Sequence, residues 1–456
     1  MINGPRIFVA DVGTSSLKAG IIDRNGTLLW QVRIPMLSKE EDLEYWEASR
    51  WEIALQMAFS RLPKGSIDGI VLSGNGPTMV PLDAKDVPTS PVLLWIDGRS
   101  RPIEGKRSFF LPKVRWFRET NPEAFAKTRS FLSCPEYLSF LLTGVKATIS
   151  PTNEFLPFLW DDDQLSTYQL SPDLFPPFVE PSNLLGRVSA RGAQKFGLKL
   201  GIPVFAGGTD FMMSLTGSGT ISPGMACDRA GTSEGINYCS DMPIRNPSLR
   251  TLPHAIEGLY NVAGILSSTG RMFEWFRRFS GQHDIDYAPM IERIEAVHEW
   301  ANLPFFFPSA HLGEQYEFTS AVFANLRPEH GAPEMGRAVL ESIGFTIRRV
   351  VGTLESSGCP VTTLRACGGQ AKNWLWNQMK SNMIDRPIDV PYIKDAELLG
   401  CGIEGFLGLG EYRNREEASG DLVRIEHRFE PDRMSVERYQ ERFSEYEKVH
   451  SALGNK

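Results

Sequence analysis

The sequence predicts an α/β protein made of two similar halves. Three observations predict it. The apolar run Ile7-Phe8-Val9-Ala10 ends in Asp11-Val12-Gly13-Thr14-Ser15-Ser16-Leu17-Lys18, a strand followed by a glycine and hydroxyl turn. Pro203-Val204-Phe205-Ala206-Gly207-Gly208-Thr209-Asp210 repeats that logic, with glycines and an aspartate at the end of an apolar strand. The chain then starts over, because Met225 to Ala230 leads into a second Gly-Thr-Ser turn at Gly231-Thr232-Ser233. A boundary near Gly217 to Gly224 divides residues 1–220 from 221–456, and two such α/β domains imply a cleft that holds one ligand between them. At 456 residues the chain exceeds what one core supports.

The elements follow in order. Leu17 to Ile22 reads as a second strand, Asn25-Gly26 is a strong hairpin signal, and Thr27 to Ile34 reads as a third strand, so the chain opens with a β-meander. Trp51, Ala54, Leu55, Ala58 and Leu62 have helical spacing, and Ile67 to Leu72 is a strand ending in Ser73-Gly74-Asn75-Gly76-Pro77. Val92 to Trp95 is strand-like, and Ser133 to Leu142 reads as a helix closed by Gly144. Six prolines between Ser150 and Arg187 (Pro151, Pro157, Pro172, Pro176, Pro177, Pro181) predict an irregular segment. In the second half, strands are expected at Ile236–Cys239, Leu259–Leu266, Val361–Cys367 and Ile388–Pro391, with a long helix from Ala332 to Ser357. Gly368 to Lys372 reads as a turn into a helix through Met383, and Ala396 to Leu409 as a further helix.

Composition narrows the function. A net charge of -7 carries no electrostatic footprint for nucleic acid or anionic membrane, which leaves a small soluble ligand. The six cysteines show no C-x-x-C and no metal-ligand spacing, so they read as reduced thiols. With the first strand so close to Met1 and no apolar stretch of membrane-spanning length, the chain reads as cytoplasmic. No Walker A loop, dinucleotide fingerprint or H-E-x-x-H is present. Gly231-Thr232-Ser233-Glu234-Gly235 does spell the G-x-S-x-G of a serine hydrolase, but that elbow requires a helix after the serine, and Gly235 to Cys239 is β-prone.

Taken together, these motifs resemble the FGGY carbohydrate kinase family of xylulose kinase-like sugar and polyol kinases, over nearly the whole chain. The Asp11–Lys18 loop resembles that family's first phosphate motif, Ser73-Gly74-Asn75 its substrate-side turn, and Trp95-Ile96-Asp97-Gly98-Arg99 its W-x-D-x-R segment. Gly207 to Asp210 is similar to the strand end bearing the catalytic aspartate, Gly231-Thr232-Ser233 to the second phosphate motif, and Cys367 to Asn373 to the adenosine loop. Lys113–Glu119 and Glu334–Glu341 resemble the two family signatures. Asn75, Pro77 and Phe211 depart from the residues usual at those positions. The resemblance implies a two-domain actin-like ATPase (ribonuclease H-like) fold, with a sugar-binding and catalytic domain over 1–220 and a nucleotide-binding domain over 221–456. It also implies ATP and Mg²⁺ as cofactors, a small sugar or polyol such as xylulose as acceptor, and a homodimer as the candidate assembly.

The implied roles are specific. Asp210 accepts the proton of the attacking hydroxyl and, with Asp11, manages the metal. Thr14, Ser15, Gly231, Thr232 and Ser233 face phosphate; Gly368, Gly369, Gln370 and Asn373 face adenosine; Asn75, Trp95, Asp97 and Phe211 face the sugar. Structural readings stand beside these: Asp210 as a helix cap, Asp11 as a turn former, Trp95 as core, Asp97 to Arg99 as an ion pair, Asn373 and Asn377 as helix surface, and Arg337 with Glu341 as an internal helix pair. Two other functions fit parts of the pattern, a sugar sensor that kept the fold without turnover and the serine hydrolase using Ser233.

Overall fold

Apolar runs bounded by turn residues become the strands of two sheets. The computed structural model describes residues 4–36, 46–231, 234–266, 269–297, 300, 302–309 and 318–454. Its strands before residue 221 are β1 (Arg6–Val12), β2 (Ser16–Asp23), β3 (Leu28–Pro35), β4 (Gly69–Gly74), β5 (Val80–Leu82), β6 (Ser130–Leu132), β7 (Thr148–Ile149), β8 (Phe178–Val179), β9 (Leu184–Arg187) and β10 (Pro203–Thr209). After it come β11 (Ala226–Ala230), β12 (Glu234–Ser240), β13 (Arg250–Pro253), β14 (Tyr260–Leu266), β15 (Phe305–Phe307), β16 (Val322–Ala324), β17 (Leu364–Gly368), β18 (Ile388–Pro391) and β19 (Ile425–Phe429).

The first main sheet has the order β3-β2-β1-β4-β10-β9, and the second β13-β14-β12-β11-β17-β18-β19. Both use one plan. An antiparallel meander, β3-β2-β1 or β14-β12-β11, is extended by two parallel strands, β4 and β10 or β17 and β18, and closed by an antiparallel edge strand, β9 or β19. The expected repetition of one α/β half is therefore present at the level of strand order.

Contacts divide the chain into two compact units. One is Met1–Ile221 with Pro253–Gly258 and Ala396–Val423, and the other is Ser222–Leu252, Leu259–Asp395 and Arg424–Lys456. The core of the first unit gathers Phe8, Trp46, Trp51, Leu72, Tyr137 and Leu138, and that of the second Phe276, Phe306, Phe345, Trp376 and Tyr439. Local signals act as expected at several ends. Helix Cys134–Thr143 starts in a capping box, in which the Ser133 N–H donates to Glu136 at 2.7 Å, and ends at Gly144 with φ 82°. Helix Ala332–Ser356 buries Arg337 against Glu341 at 3.1 Å, and the same guanidinium donates to Glu295 O, Val297 O and Tyr439 Oη, so that pair is internal.

Two expectations are corrected. Val92 to Trp95 is not a strand but a single bridge, Met79 to Leu93, running into a turn, because Trp95 and Ile96 face outward and extend no ladder. The proline-rich segment is less irregular than its composition suggests. Its short helices Leu156–Leu159 and Asp162–Tyr168 bring Trp160 to Phe175 at 4.5 Å, within an aromatic layer that also includes Phe110 and Phe178. All six cysteines are buried, and no disulfide joins them. Among the described residues no helix is long and apolar enough to cross a membrane.

Helix Ala396–Gly408 joins the first unit across a large sequence separation by lying on its sheet and crossing helix Asp210–Gly217. The crossing is closer than side chains permit. A Cβ on Gly217 would stand 1.9 Å from Ala396 O, and one on Gly400 1.9 Å from Met213 O. Gly400→Ala is expected to destabilise the chain by at least about 2 kcal/mol, since neither backbone can retreat without lifting its helix from the sheet; chemical denaturation of the full chain reads this directly.

Candidate active site

The carboxyl ends of β1, β4 and β10 meet at one edge of the first sheet, and the two expected aspartates stand there. Asp11 lies between Lys18 on β2 and Ser73 on β4 in the strand register, and the Ser73 hydroxyl donates to Asp11 Oδ1 at 3.3 Å. Asp210 opens helix Asp210–Gly217 directly after β10, with Thr209 rather than Asp210 at the cap position. Its Oδ1 accepts the Phe211 N–H at 2.7 Å, which orients the carboxylate at the positive end of the helix.

A third carboxylate, missed in the sequence, completes this edge. Glu397 sits in the first turn of helix Ala396–Gly408, and its Oε2 is buried with no hydrogen-bond partner among the described residues. Asp11 is only 6% exposed. Burial first, then the charges of Glu397 and Asp210, push its carboxyl from 3.8 up to about 7, against the opposing pull of Lys18 and Ser73. No group of three His, Cys, Asp or Glu side chains able to hold a metal is found among the described residues. The only sequence signal for Glu397 was an acid in a helix's first turn, which ordinarily means no more than helix-dipole stabilisation.

The expected substrate residues form a network beside this edge. Asn75, 3% exposed, donates its N–H to Val12 O at 2.9 Å and accepts the Thr78 hydroxyl at 2.9 Å, while its Nδ2 is buried without a partner among the described residues. Thr78 Oγ1 in turn accepts the Trp95 N–H at 3.2 Å, and Trp95 Nε1 donates to Thr14 Oγ1 at 3.0 Å. Trp95 is 46% exposed, so it is a wall and not core, and it ties the substrate-side turn to the phosphate loop. Ser15 is exposed on that loop, and Phe211 is half-buried beside Asp210. Asp97 and Arg99 form the two-point ion pair anticipated as the alternative, at 2.9 and 2.7 Å, and despite partial burial this pairing holds the Asp97 carboxyl below the usual range. Lys113, from the first family-like signature, is buried and donates to Asp97 O at 3.3 Å.

The second unit carries the other loops. Gly231 follows β11, while Thr232 and Ser233 lie outside the described residues. The chain continues as strand β12 and not as a helix, which removes the hydrolase elbow. Gly368 has φ 86°, and a Cβ there would stand 2.4 Å from Ala230 O, so only glycine lets this loop start against the hairpin. Gly369 is exposed. Gln370 Oε1 accepts Trp376 Nε1–H at 2.9 Å, Asn373 caps the following helix by accepting the Trp376 N–H at 2.9 Å, and Asn377 Nδ2 donates to Ala371 O at 2.8 Å. Asn377 is buried, not helix surface, and its Oδ1 has no partner among the described residues.

A doubled sheet plan, strand-end aspartates and glycine turns define a two-domain phosphotransferase of the actin-like ATPase type. Residues 106–217 match the N-terminal domain and residues 228–407 the C-terminal domain of the FGGY family of carbohydrate kinases. The chain belongs to that family and is a kinase acting on an alcohol group of a carbohydrate. It is 25% identical over 482 residues to a xylulose kinase of Bacillus subtilis, covering 97% of this chain and 96% of the other. It is 24% identical over 491 residues to an autoinducer-2 kinase of Yersinia enterocolitica, covering 94% and 91%. The fold matches a ligand-bound xylulose kinase structure from Lactobacillus acidophilus with TM-score 0.82, at 19% identity and 98% coverage of both chains.

Because folded Asp11 holds its proton more tightly than the unfolded chain does, the unliganded protein is expected to lose stability as pH rises from about 4 through about 7. Asp11→Asn should flatten this slope in thermal melts between about pH 4 and 7.

Proposed function

We propose that this chain transfers the γ-phosphoryl group of Mg²⁺-bound ATP to a hydroxyl of a small ketose or polyol, with a xylulose-like ketose as the first candidate. The observation that carries the reading is the pairing of Asp11 and Asp210 at the same ends of β1 and β10, the two strands that flank β4, one buried with its carboxyl pushed up and the other oriented by a helix N-terminus. Names among the relatives support a ketose or similar polyhydroxylated acceptor, and they differ among themselves, so the acceptor rests on the residues of this chain.

Asp210 performs the proton step. As the acceptor oxygen bonds to phosphorus and the bond to the departing diphosphate breaks, the hydroxyl proton passes to the Asp210 carboxylate, which the Phe211 N–H keeps aligned. Asp11 and Asp210, with Glu397 behind Asp11, would hold the hydrated Mg²⁺, which neutralises charge on the phosphates when bound. Thr14 and Ser15, with Gly231, Thr232 and Ser233 of the second turn, would donate to phosphate oxygens, while Gly368, Gly369, Gln370 and Asn373 would receive adenosine. On the acceptor side, the unmatched Asn75 Nδ2 is a ready donor for a sugar hydroxyl, and the Trp95 face offers an apolar wall for its carbon edge. Asp97 would bind acceptor through whatever capacity its ion pair with Arg99 leaves.

A panel of ketoses, aldoses, sugar acids and polyols assayed for ADP release tests the class and names the acceptor; a panel without any response would remove the reading. Asp210→Asn is expected to lower turnover by about 10² to 10⁴ while ADP affinity stays within about twofold. Asn75→Ala should raise the acceptor KM about tenfold with little change in the ATP KM, through loss of one buried hydrogen bond.

A further inference from the structure

A buried charged cluster in the second unit is left unused by this reaction. Asp228 on β11, Glu234 on β12 and Lys380 on helix Trp374–Ile384 are 0%, 2% and 0% exposed. In the β11–β12 register Ala230 faces Glu234 and Asp228 faces Ile236, so Asp228 and Glu234 are diagonal neighbours on one face of the hairpin. Lys380 enters that face from the helix, pairing closely with Asp228 and standing 3.8 Å from Glu234 Oε1. Its ammonium lies 5.7 Å from the centre of the Trp376 ring.

The charges do not balance if all three groups ionise, since two carboxylates would face one ammonium with no water-exposed surface. A bare buried charge is costly, and one proton retained by the cluster removes it. Burial first, then Asp228, hold the Glu234 carboxyl well above its ordinary value, with Lys380 opposing. Lys380, pulled up by both carboxylates against burial, keeps its charge. Neither oxygen of Glu234, nor Asp228 Oδ1, has a well-formed hydrogen bond among the described residues, and the Thr269 hydroxyl near Glu234 only partly offsets the upward push on its carboxyl. A proton on Glu234 supplies the missing donor, with Asp228 Oδ1 as its acceptor, and the three residues become a neutral chain of ammonium, carboxylate and carboxylic acid.

The elements joined by this chain frame both loops assigned to the nucleotide. The hairpin ends at Ala230 and Gly231, and Gly368, where the adenosine loop begins, is pressed against Ala230 O. From Gly368 the backbone runs through Asn373 into the helix that returns Lys380 to the same hairpin. The loop is thus held at its start by backbone contact and beyond its end by the buried cluster. We propose that Asp228, Glu234 and Lys380 are positioning residues, a neutral latch that fixes the Gly368–Asn373 loop on the β11–β12 hairpin in the arrangement that receives the nucleotide. This rests on the nucleotide role given above to these loops.

The test measures ADP affinity of the full chain by calorimetry, together with the melting temperature of the unliganded protein. Glu234→Gln, which keeps a donor toward Asp228, is expected to bind ADP within about twofold of the parent, whereas Glu234→Ala should bind about tenfold or more weakly. The paired change Asp228→Asn with Lys380→Met leaves no bare buried charge, so it should retain the parent melting temperature within a few degrees and still lose about tenfold in ADP affinity. If that double variant melts normally and binds ADP as tightly as the parent, the latch is wrong. Equal weakening by Glu234→Gln and Glu234→Ala also overturns it, because the hydrogen-bonded chain would then have no part. A parent chain that binds no ADP would instead overturn the nucleotide reading itself.

Discussion

The first unit depends on the backbone contact between helices Asp210–Gly217 and Ala396–Gly408. Gly217 and Gly400 remove the side chains that would separate them, and the carbonyls of Ala396 and Met213 occupy the space. The contact pairs Gly217, the last residue of one helix, with Ala396, the first of the other, and the charges of Asp210 and Glu397 both bear on Asp11. It also lets the second helix spread over β1, β4 and β10, where Gly405 fits against Ile7 and Val71 and Gly408 against Phe205. The absence of two Cβ atoms sets the tightness of the layer whose helix begins beside Glu397.

The two units treat buried negative charge in opposite ways. At the edge of the first sheet three carboxylates crowd together, and the raised Asp11 carboxyl, opposed by Lys18 and Ser73, records their mutual repulsion, which a divalent cation would relieve. Beneath the hairpin of the second unit, two carboxylates are matched by Lys380 and one proton, and nothing is left over for a ligand. An uncompensated cluster is a binding site in waiting, and a compensated one is a joint. The same residue types serve both ends because environment, not identity, decides which charges remain unmet.

Much of this was legible in the chain. The opening meander, the parallel strands at Ile67–Leu72 and Pro203–Thr209, the Gly144 helix end and the second meander all follow from short-range periodicity and turn chemistry, which act within about ten residues. Asp11 and Asp210 stand out in the sequence as a candidate pair because each comes at the end of an apolar run. Glu397, Asp228 and Lys380 do not, since their meaning comes from partners far away in sequence. Val92 to Trp95 misled for a related reason: an apolar run looks like a strand whether its residues complete a ladder or, like Trp95, form the wall of a site. Asn373 had two readings, and the geometry assigns its side-chain oxygen to a helix cap.

The interleaving of the two units also constrains synthesis. The first sheet is complete by residue 209, yet the helix that covers it begins at Ala396, and the second sheet waits for β19 at Ile425–Phe429. A nascent chain emerging from the ribosome therefore exposes the apolar surface around Ile7, Val71 and Phe205 until nearly the whole protein has been made. The first unit cannot close until Ala396–Val423 have been made, by which point most of the second unit has already been translated. In this protein the order of the genetic message delays closure of both cores to the last stretch of elongation, when chaperone protection of the unfinished sheet matters most.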